Sequence, residues 1–131
     1  MDQQMALAVQ SIIDVHVLIE DVFTGRHQGK SLQPLLASFD KDFKMVTIQG
    51  ACIGLEQVTE LFSHNVGAKP SLDITVQNIE PLFESSDNQY WLRYQEYQTV
   101  EGLRTLRTST VGLKIEAGKC YWQYLHETPV K

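Results

Sequence analysis

The sequence predicts an α+β fold, in which the helices lie on one face of a curved and mostly antiparallel sheet. In the first half of the chain, apolar residues recur at the three- and four-residue spacing of amphipathic helices. In the last third, from Asn88 to Thr128, long runs of strand-like sequence are joined by short turns that contain glycine, as in an antiparallel meander. Helices and strands grouped in this way are typical of the α+β class.

The helices are predicted from periodicity and from capping residues. The first covers residues 4–23 and has His16 in the middle of its apolar stripe. Ser31 is a suitable N-cap for a short second helix over residues 32–38. Gly54 then opens a third helix with one apolar face.

The shorter strands precede and follow the third helix. Residues 43–48 and 51–53 are predicted to form a small hairpin. A further strand begins at Leu72, and its apolar alternation slips by one position near Gln77 and Asn78. Such a slip indicates a β-bulge, which bends the strand.

The long closing strands carry polar and aromatic side chains where a simple core would have aliphatic ones. On the strand over residues 103–115, alternation places on one face Arg107, Ser109, Val111, Leu113 and Ile115. We expect this face to be the inner one, because the residues at its far end are all apolar. On the last strand, one face is shared by Cys120, Trp122, Tyr124 and His126. Because an unpaired buried polar group is costly, this composition predicts a pocket lined by the sheet.

The face of the strand over residues 89–99 depends on the turn at residues 100–102. A three-residue turn, which we prefer, brings one set of side chains inward, namely Trp91, Arg93, Gln95 and Tyr97. A turn of two or four residues would instead bring inward Leu92, Tyr94 and Glu96.

Size and composition limit the function. With 131 residues, 43% hydrophobic content and a net charge of -5, the chain is predicted to form one soluble domain over residues 1–131 that binds no nucleic acid. No signal peptide and no apolar run of about 18–20 residues are visible, so we expect a cytoplasmic protein that does not enter the membrane. The cysteines and histidines are scattered, which predicts no metal site, and no cofactor fingerprint is found.

Several segments resemble the nuclear transport factor 2-like superfamily, which includes SnoaL-like cyclases and ketosteroid isomerase. The segments that carry the resemblance are residues 42–46 with Gly50, residues 54–62, residues 107–111, and Gly118 and Lys119 with residues 122–126. The closing strands are also similar to the association domain of calcium/calmodulin-dependent protein kinase, on the basis of Arg93, Trp122 and His126. The resemblance implies a cone-shaped, curved, mostly antiparallel sheet wrapped around three N-terminal helices, with a conical pocket. It also implies a homodimer formed through the outer face of the sheet. At the position that the catalytic aspartate of ketosteroid isomerase would occupy, this chain has Met45, which argues against steroid isomerisation by that mechanism.

The candidate site residues each have a structural alternative. His126 and His16 are candidates for proton transfer, or else hydrogen-bonded structural histidines. Arg93 and Arg107 are candidates for binding a ligand carboxylate. The alternative is an internal salt bridge with Glu96, Glu101 or Glu127, and for Arg107 a cross-strand pair with Glu96 is the strongest competitor. The remaining ligand-binding candidates, which would otherwise be core or dimer residues, are Tyr97, Ser109, Trp122 and Tyr124.

From these features we predict that the protein has a pocket for a small, partly apolar molecule, and that acidic molecules are among its candidate ligands. If it is an enzyme, it would be an isomerase, cyclase or hydratase that works by acid-base chemistry without a cofactor. The alternative is a non-catalytic binding or oligomerisation module with a vestigial or sensory pocket.

Overall fold

The computed structural model describes residues 2–131. Its helices are α1 (Gln3–Thr24), α2 (Leu32–Ala37) and α3 (Leu55–Ser63), with a short 3-10 turn at Arg26–Gly29 between the first two. Its strands are β1 (Phe39–Val46), β2 (Cys52–Gly54), β3 (Asp73–Glu84), β4 (Gln89–Val100), β5 (Leu103–Glu116) and β6 (Lys119–Pro129). The predicted α+β class is therefore confirmed.

The six strands form one curved sheet in the order β2-β1-β6-β5-β4-β3. All neighbours are antiparallel except β1 and β6, which run parallel. This order places the three long strands β4, β5 and β6 side by side, so their inner faces form one continuous surface opposite the helices.

Helix α1 lies across that surface because its apolar stripe is continuous. Ala8, Ile12 and Val22 are completely buried, and His16 is 5% exposed in the same stripe. At the start of the helix the Met5 N–H donates to the Asp2 carboxylate at 2.7 Å. Burial of this stripe against β4, β5 and β6 fixes which helical side chains face the sheet.

The predicted bulge in β3 is confirmed. Pairing between β3 and β4 shifts register between Gln77 and Glu80, where Asn78 has a φ of 54°. The Asn78 side chain donates to Gln95 Oε1 at 2.8 Å, which holds this left-handed residue in place.

One strand boundary and one helix cap differ from the prediction. Strand β1 begins at Phe39 rather than at residue 43, because Phe39 pairs with Trp122 and is buried despite the charged residues that follow it. Ser31 precedes α2, but its hydroxyl contacts Asp21 Oδ2 at 3.3 Å and makes no capping hydrogen bond.

The preferred alignment of β4 with β5 is wrong. Val100 pairs with Leu103, so only Glu101 and Gly102 form the turn, with φ values of 51° and 81°. A two-residue turn with positive φ at both positions suits the twist of a hairpin. The alternative set therefore faces inward, with Leu92 and Tyr94 fully buried and Glu96 2% exposed, whereas Trp91, Arg93, Gln95 and Tyr97 face outward.

The expected alternation of β6 is also wrong beyond Trp122. Leu113 pairs with Trp122 but Gly112 pairs with Tyr124, so Gln123 is an extra residue in β6. Past this bulge, Leu125 and Glu127 face inward and Tyr124 and His126 face outward. The inner face of β5 is as predicted, with Ser109, Val111, Leu113 and Ile115 buried.

Within residues 2–131, no helix combines the length and the apolar character needed to cross a membrane.

Candidate functional site

A cavity of about 370 Å³ lies between the helices and the inner face of the sheet. Its walls are mainly apolar and come from helices α1 and α3 and from strands β1, β2 and β6. The apolar lining residues include Val15, Ile19, Phe23, Phe39, Phe43, Met45, Ile53, Val58, Phe62, Trp122 and Leu125. Gln49, Leu61 and Lys69 also line it and are exposed, so they mark its opening. This volume is at the small end of the range of about 300–1,000 Å³ for ligand pockets.

One part of the cavity wall is strongly polar. The side chains that form it are His16 from α1, Glu96 and Gln98 from β4, Arg107 from β5 and Glu127 from β6. The N-terminal helix and three consecutive strands thus place titratable or hydrogen-bonding groups around one apolar space.

His16 and Glu96 form a buried pair with few remaining hydrogen-bonding positions. His16 Nε2 lies 3.1 Å from Glu96 Oε1, and His16 Nδ1 lies 2.7 Å from the Ile12 carbonyl oxygen. Because a carbonyl oxygen only accepts, Nδ1 carries a hydrogen and donates to it. The other oxygen of Glu96 accepts a hydrogen bond of 2.7 Å from Gln98 Nε2.

The charges of this pair support each other. Burial lowers the pKa of His16, but the hydrogen bond and the charge of Glu96 outweigh burial and raise the pKa above its usual value. Burial raises the pKa of Glu96, and the contacts with His16 and Gln98 outweigh it and lower that pKa. Both shifts favour an imidazolium beside a carboxylate, a state in which both ring nitrogens of His16 donate.

Arg107 and Glu127 form the second inner pair. Arg107 Nη1 lies 3.2 Å from Glu127 Oε2, and the two side chains are 16% and 12% exposed. Burial raises the pKa of Glu127, and the Glu96 charge adds to the rise, while Arg107 opposes both. Arg107 also sits directly opposite Glu96 in the register of β4 and β5, so the two pairs are neighbours.

Two hydroxyl groups are buried next to these pairs. Tyr94 Oη and Ser109 Oγ have no hydrogen-bond partner within residues 2–131. Tyr94 packs edge-on against the His16 ring, with centroids 5.1 Å apart. Burial raises the pKa of Tyr94 well above its usual value. The nearby Ser109 hydroxyl lowers this pKa in part, although the two hydroxyl groups are not in hydrogen-bonding geometry.

The structure separates the predicted site residues into two groups. His16, Arg107 and Trp122 line the cavity, and Trp122 Nε1 donates to Ser11 Oγ at 3.2 Å. Ser109 is fully buried on the same face but lies behind the cavity wall.

The other four candidates lie on the outer face. Arg93 Nη2 pairs with Glu80 at 2.9 Å, and the two side chains are 49% and 57% exposed. The Arg104 guanidinium lies 3.7 Å from the centroid of the Tyr97 ring. Tyr124 Oη lies 3.4 Å from His126 Nδ1, and His126 is exposed. Arg93, Tyr97, Tyr124 and His126 are therefore not brought together with the inner polar groups.

Sequence reasoning named neither Glu96 nor Glu127 as a site residue. It considered both as salt-bridge partners of an arginine, and Arg107 does pair with Glu127. For Glu96 the available signal was the two-residue reading of the turn, which brings Leu92, Tyr94 and Glu96 inward together. For Glu127 the signal would have been the Gln123 bulge, which moves every later residue of β6 to the opposite face.

Met45 lines the cavity at the position where the resemblance to ketosteroid isomerase would require an aspartate. A thioether takes up no proton, so the carboxylates available at this cavity are Glu96 and Glu127. Within residues 2–131, no three His, Cys, Asp or Glu side chains are grouped so that they could hold a metal ion.

The structure is similar to that of an NTF-2-like protein of unknown function from Pseudomonas aeruginosa, with 32% sequence identity and a TM-score of 0.90. That match covers 95% of this chain and 99% of the other. The CaMKII association domain from C. elegans matches with 14% identity and a TM-score of 0.72, over 98% of this chain and 99% of the other. A ketosteroid isomerase-like protein from Erwinia carotovora atroseptica matches with 13% identity and a TM-score of 0.73, over 100% and 99% of the two chains.

The last two likenesses concern the fold alone, because the identities are low. No protein-family model and no curated protein sequence matches the chain. The Pseudomonas aeruginosa protein is alike in both sequence and structure over nearly the full length of both chains. With its three helices against a curved sheet that lines a cavity, the chain belongs to the NTF2-like superfamily.

Proposed function

We propose that the cavity binds a small, mostly apolar molecule that carries one acidic group, and that Arg107 binds that group. The observation that carries the proposal is a guanidinium in the wall of a largely apolar cavity, on a side chain that is only 16% exposed. Arginine has five N–H donors, and Arg107 makes a single side-chain hydrogen bond within residues 2–131, to Glu127. The remaining donors suit the two oxygens of a ligand carboxylate.

The apolar part of the ligand would lie against the aromatic and aliphatic walls. Phe39, Phe43 and Trp122 supply large apolar surfaces within the same cavity as Arg107. Apolar contact provides most of the binding free energy in such pockets, and a few polar groups fix the orientation of the ligand.

The first test is a thermal-shift series with hexanoate, octanoate, benzoate and phenylacetate. We expect a dose-dependent rise in Tm for the wild type, because a ligand that binds the native state stabilises it by mass action. Arg107→Gln should lose the rise, with folding checked by circular dichroism. Arg93→Gln is the matched control on the outer face and should keep it. A flat series, or an equal rise in Arg107→Gln, would contradict the proposal.

A second candidate function is acid-base catalysis on the bound molecule, as an isomerase, cyclase or hydratase without a cofactor. Glu127 favours it, because this carboxyl group lines the cavity and burial raises its pKa towards the range of catalytic acids and bases. In this candidate function His16 orients Glu96, and His126, on the outer face, has no part.

The test of this second candidate is hydrogen exchange at the acidic C–H groups of 2-keto acids in heavy water, followed by NMR. Glu127→Gln should abolish protein-dependent exchange and His126→Gln should keep it.

We also propose that the outer face forms a homodimer. Phe83, 58% exposed, stacks on Trp91 with centroids 5.9 Å apart, and Trp91 contacts Tyr124 at 6.0 Å between centroids. Exposed aromatic clusters of this kind are enriched at protein interfaces. Light scattering after size exclusion should give a dimer that Phe83→Glu dissociates, whereas Val17→Glu on the exposed side of α1 should leave it intact. A ring of many subunits would instead favour an oligomerisation module.

A further inference from the structure

We propose that a ligand carboxylate replaces Glu127 at Arg107, and that Glu127 takes up one proton from solvent as it is displaced. The inference rests on the proposed function of the cavity and specifies how that site is regulated. The exchange forms no covalent bond: the Arg107 ion pair passes from Glu127 to the ligand, and the Glu127 carboxylate becomes a neutral carboxyl group.

Before a ligand arrives, the polar part of the cavity wall holds two pairs, Arg107 with Glu127 and His16 with Glu96. Lys69 lines the opening of the cavity. A ligand carboxylate at Arg107 would add a third carboxylate next to Glu96 and Glu127, whose side chains are 3% and 12% exposed. Such an excess charge is costly in a low-dielectric site, so one carboxylate is expected to be neutralised by a proton.

The hydrogen bonds indicate which carboxylate yields. Glu96 is held at both oxygens, by His16 at 3.1 Å and by Gln98 at 2.7 Å. Glu127 accepts one side-chain hydrogen bond within residues 2–131, from Arg107, and that contact is a single 3.2 Å bond rather than a bidentate pair. Glu127 would lose one hydrogen bond if it moved, whereas Glu96 would lose two. Glu127 is therefore the carboxylate that yields.

The groups around Glu127 favour its protonation once Arg107 turns to the ligand. Strand β4 contributes the negative Glu96 and the phenol of Tyr94, strand β5 contributes Arg107, and helix α1 contributes His16. Next to the end of β1, Thr47 lines the cavity and is uncharged. Arg107 is the main group that opposes the effect of burial on the pKa of Glu127, so its loss raises that pKa further.

His16 is not an alternative acceptor for this proton. Its two ring nitrogens already contact the Ile12 carbonyl and Glu96, and in the imidazolium form both donate. Lys69 lies at the opening of the cavity, with its Nζ 4.9 Å from the Phe23 ring centroid.

Isothermal titration calorimetry tests the exchange. Phenylacetate and hexanoate are titrated into the full chain at pH 7 in buffers of different ionisation enthalpy, and the dependence of the heat on buffer gives the number of protons taken up. We expect about one proton per ligand, and an affinity that falls by up to about tenfold per pH unit as the pH rises while Glu127 is ionised in the free protein. Both acids stay ionised throughout, so they contribute no proton of their own.

Two variants separate this exchange from simple binding. Glu127→Gln leaves Arg107 without an ionic partner, so it should bind the same carboxylate more tightly at pH 8 and take up no proton. Glu80→Gln, at the outer Arg93 pair, should behave like the wild type. Wild-type binding without proton uptake, or unchanged uptake in Glu127→Gln, would overturn the exchange and leave the proposed function standing. Absence of binding to either acid would overturn both.

Discussion

Two arginine and glutamate pairs on opposite faces of the same sheet make an instructive comparison. On the outer face, Arg93 and Glu80 lie 2.9 Å apart with side chains that are 49% and 57% exposed. On the inner face, Arg107 and Glu127 lie 3.2 Å apart with side chains that are 16% and 12% exposed. Distance alone would make the outer pair the stronger one.

Burial reverses that order. Exposed ion pairs contribute about 0–1 kcal/mol, because water and salt screen the charges and two long side chains lose freedom. In a buried pair, removal of one partner leaves the other charge with neither its partner nor its hydration water, which is costly. A ligand group that takes the place of one partner can therefore have a large effect on the inner pair. The outer pair is a solvated surface contact, so its geometry says little about function.

Breaking the inner network should have the largest effect on stability. His16→Leu leaves the Glu96 carboxylate buried with Gln98 as its main contact, and we expect a loss of about 3 kcal/mol in the free energy of unfolding. Urea denaturation measures it. The double variant His16→Leu, Glu96→Leu should recover part of the loss, because no uncompensated charge remains. A double variant less stable than the single one would show that the pair stabilises the fold outright.

A smaller effect is expected from the outer face at Gly112. A Cβ at this position would lie 2.8 Å from Cη2 of the Trp91 indole, closer than van der Waals contact allows. We expect Gly112→Ala to destabilise the protein by about 1–2 kcal/mol through displacement of the indole. Thermal unfolding measures the loss, and Trp91→Val should relieve it in the double variant. An unchanged Tm for Gly112→Ala would mean that the indole moves freely.

The elements that the sequence predicted are those with a local signal. The apolar stripe of α1 and the slip at Asn78 can be read within a few residues. The set of β4 side chains that faces inward depends on whether Val100 belongs to the turn. A difference of one residue in the length of the turn decides whether Arg93 or Glu96 faces inward. The Gln123 bulge is hidden because aromatic or apolar residues stand on both faces of β6, so no slip in alternation shows. The partner of Glu96 is His16, 80 residues away in sequence, which only the tertiary structure reveals.

The buried pair also predicts how stability depends on pH. The folded pKa of His16 is above 6.5, so its contribution is complete below pH 6.5 and is lost as the pH rises through the folded pKa. The folded pKa of Glu96 is below 4.5, so its contribution is complete above pH 4.5 and is lost as the pH falls through the folded pKa. The pair therefore stabilises the protein fully between pH 4.5 and 6.5.

Urea denaturation across the pH range checks this dependence. Glu127, whose pKa is raised from 4.5, adds a further loss of stability as the pH increases, so the informative comparison is between the wild type and His16→Gln. The variant should lose the decline that begins above pH 6.5 in the wild type. Identical profiles for the two proteins would mean that folding does not change the pKa of His16.

The smallest effect should come from the outer pair, and it completes the comparison. A double-mutant cycle with Arg93→Ala and Glu80→Ala should give a coupling free energy of about 0.2–1 kcal/mol that shrinks further at high salt. The matching cycle with Arg107→Ala and Glu127→Ala should give a larger coupling that salt changes little, because ions do not reach the buried pair. Equal couplings would mean that water enters the cavity wall freely. In that case Arg107 would hold a ligand carboxylate no better than Arg93 does.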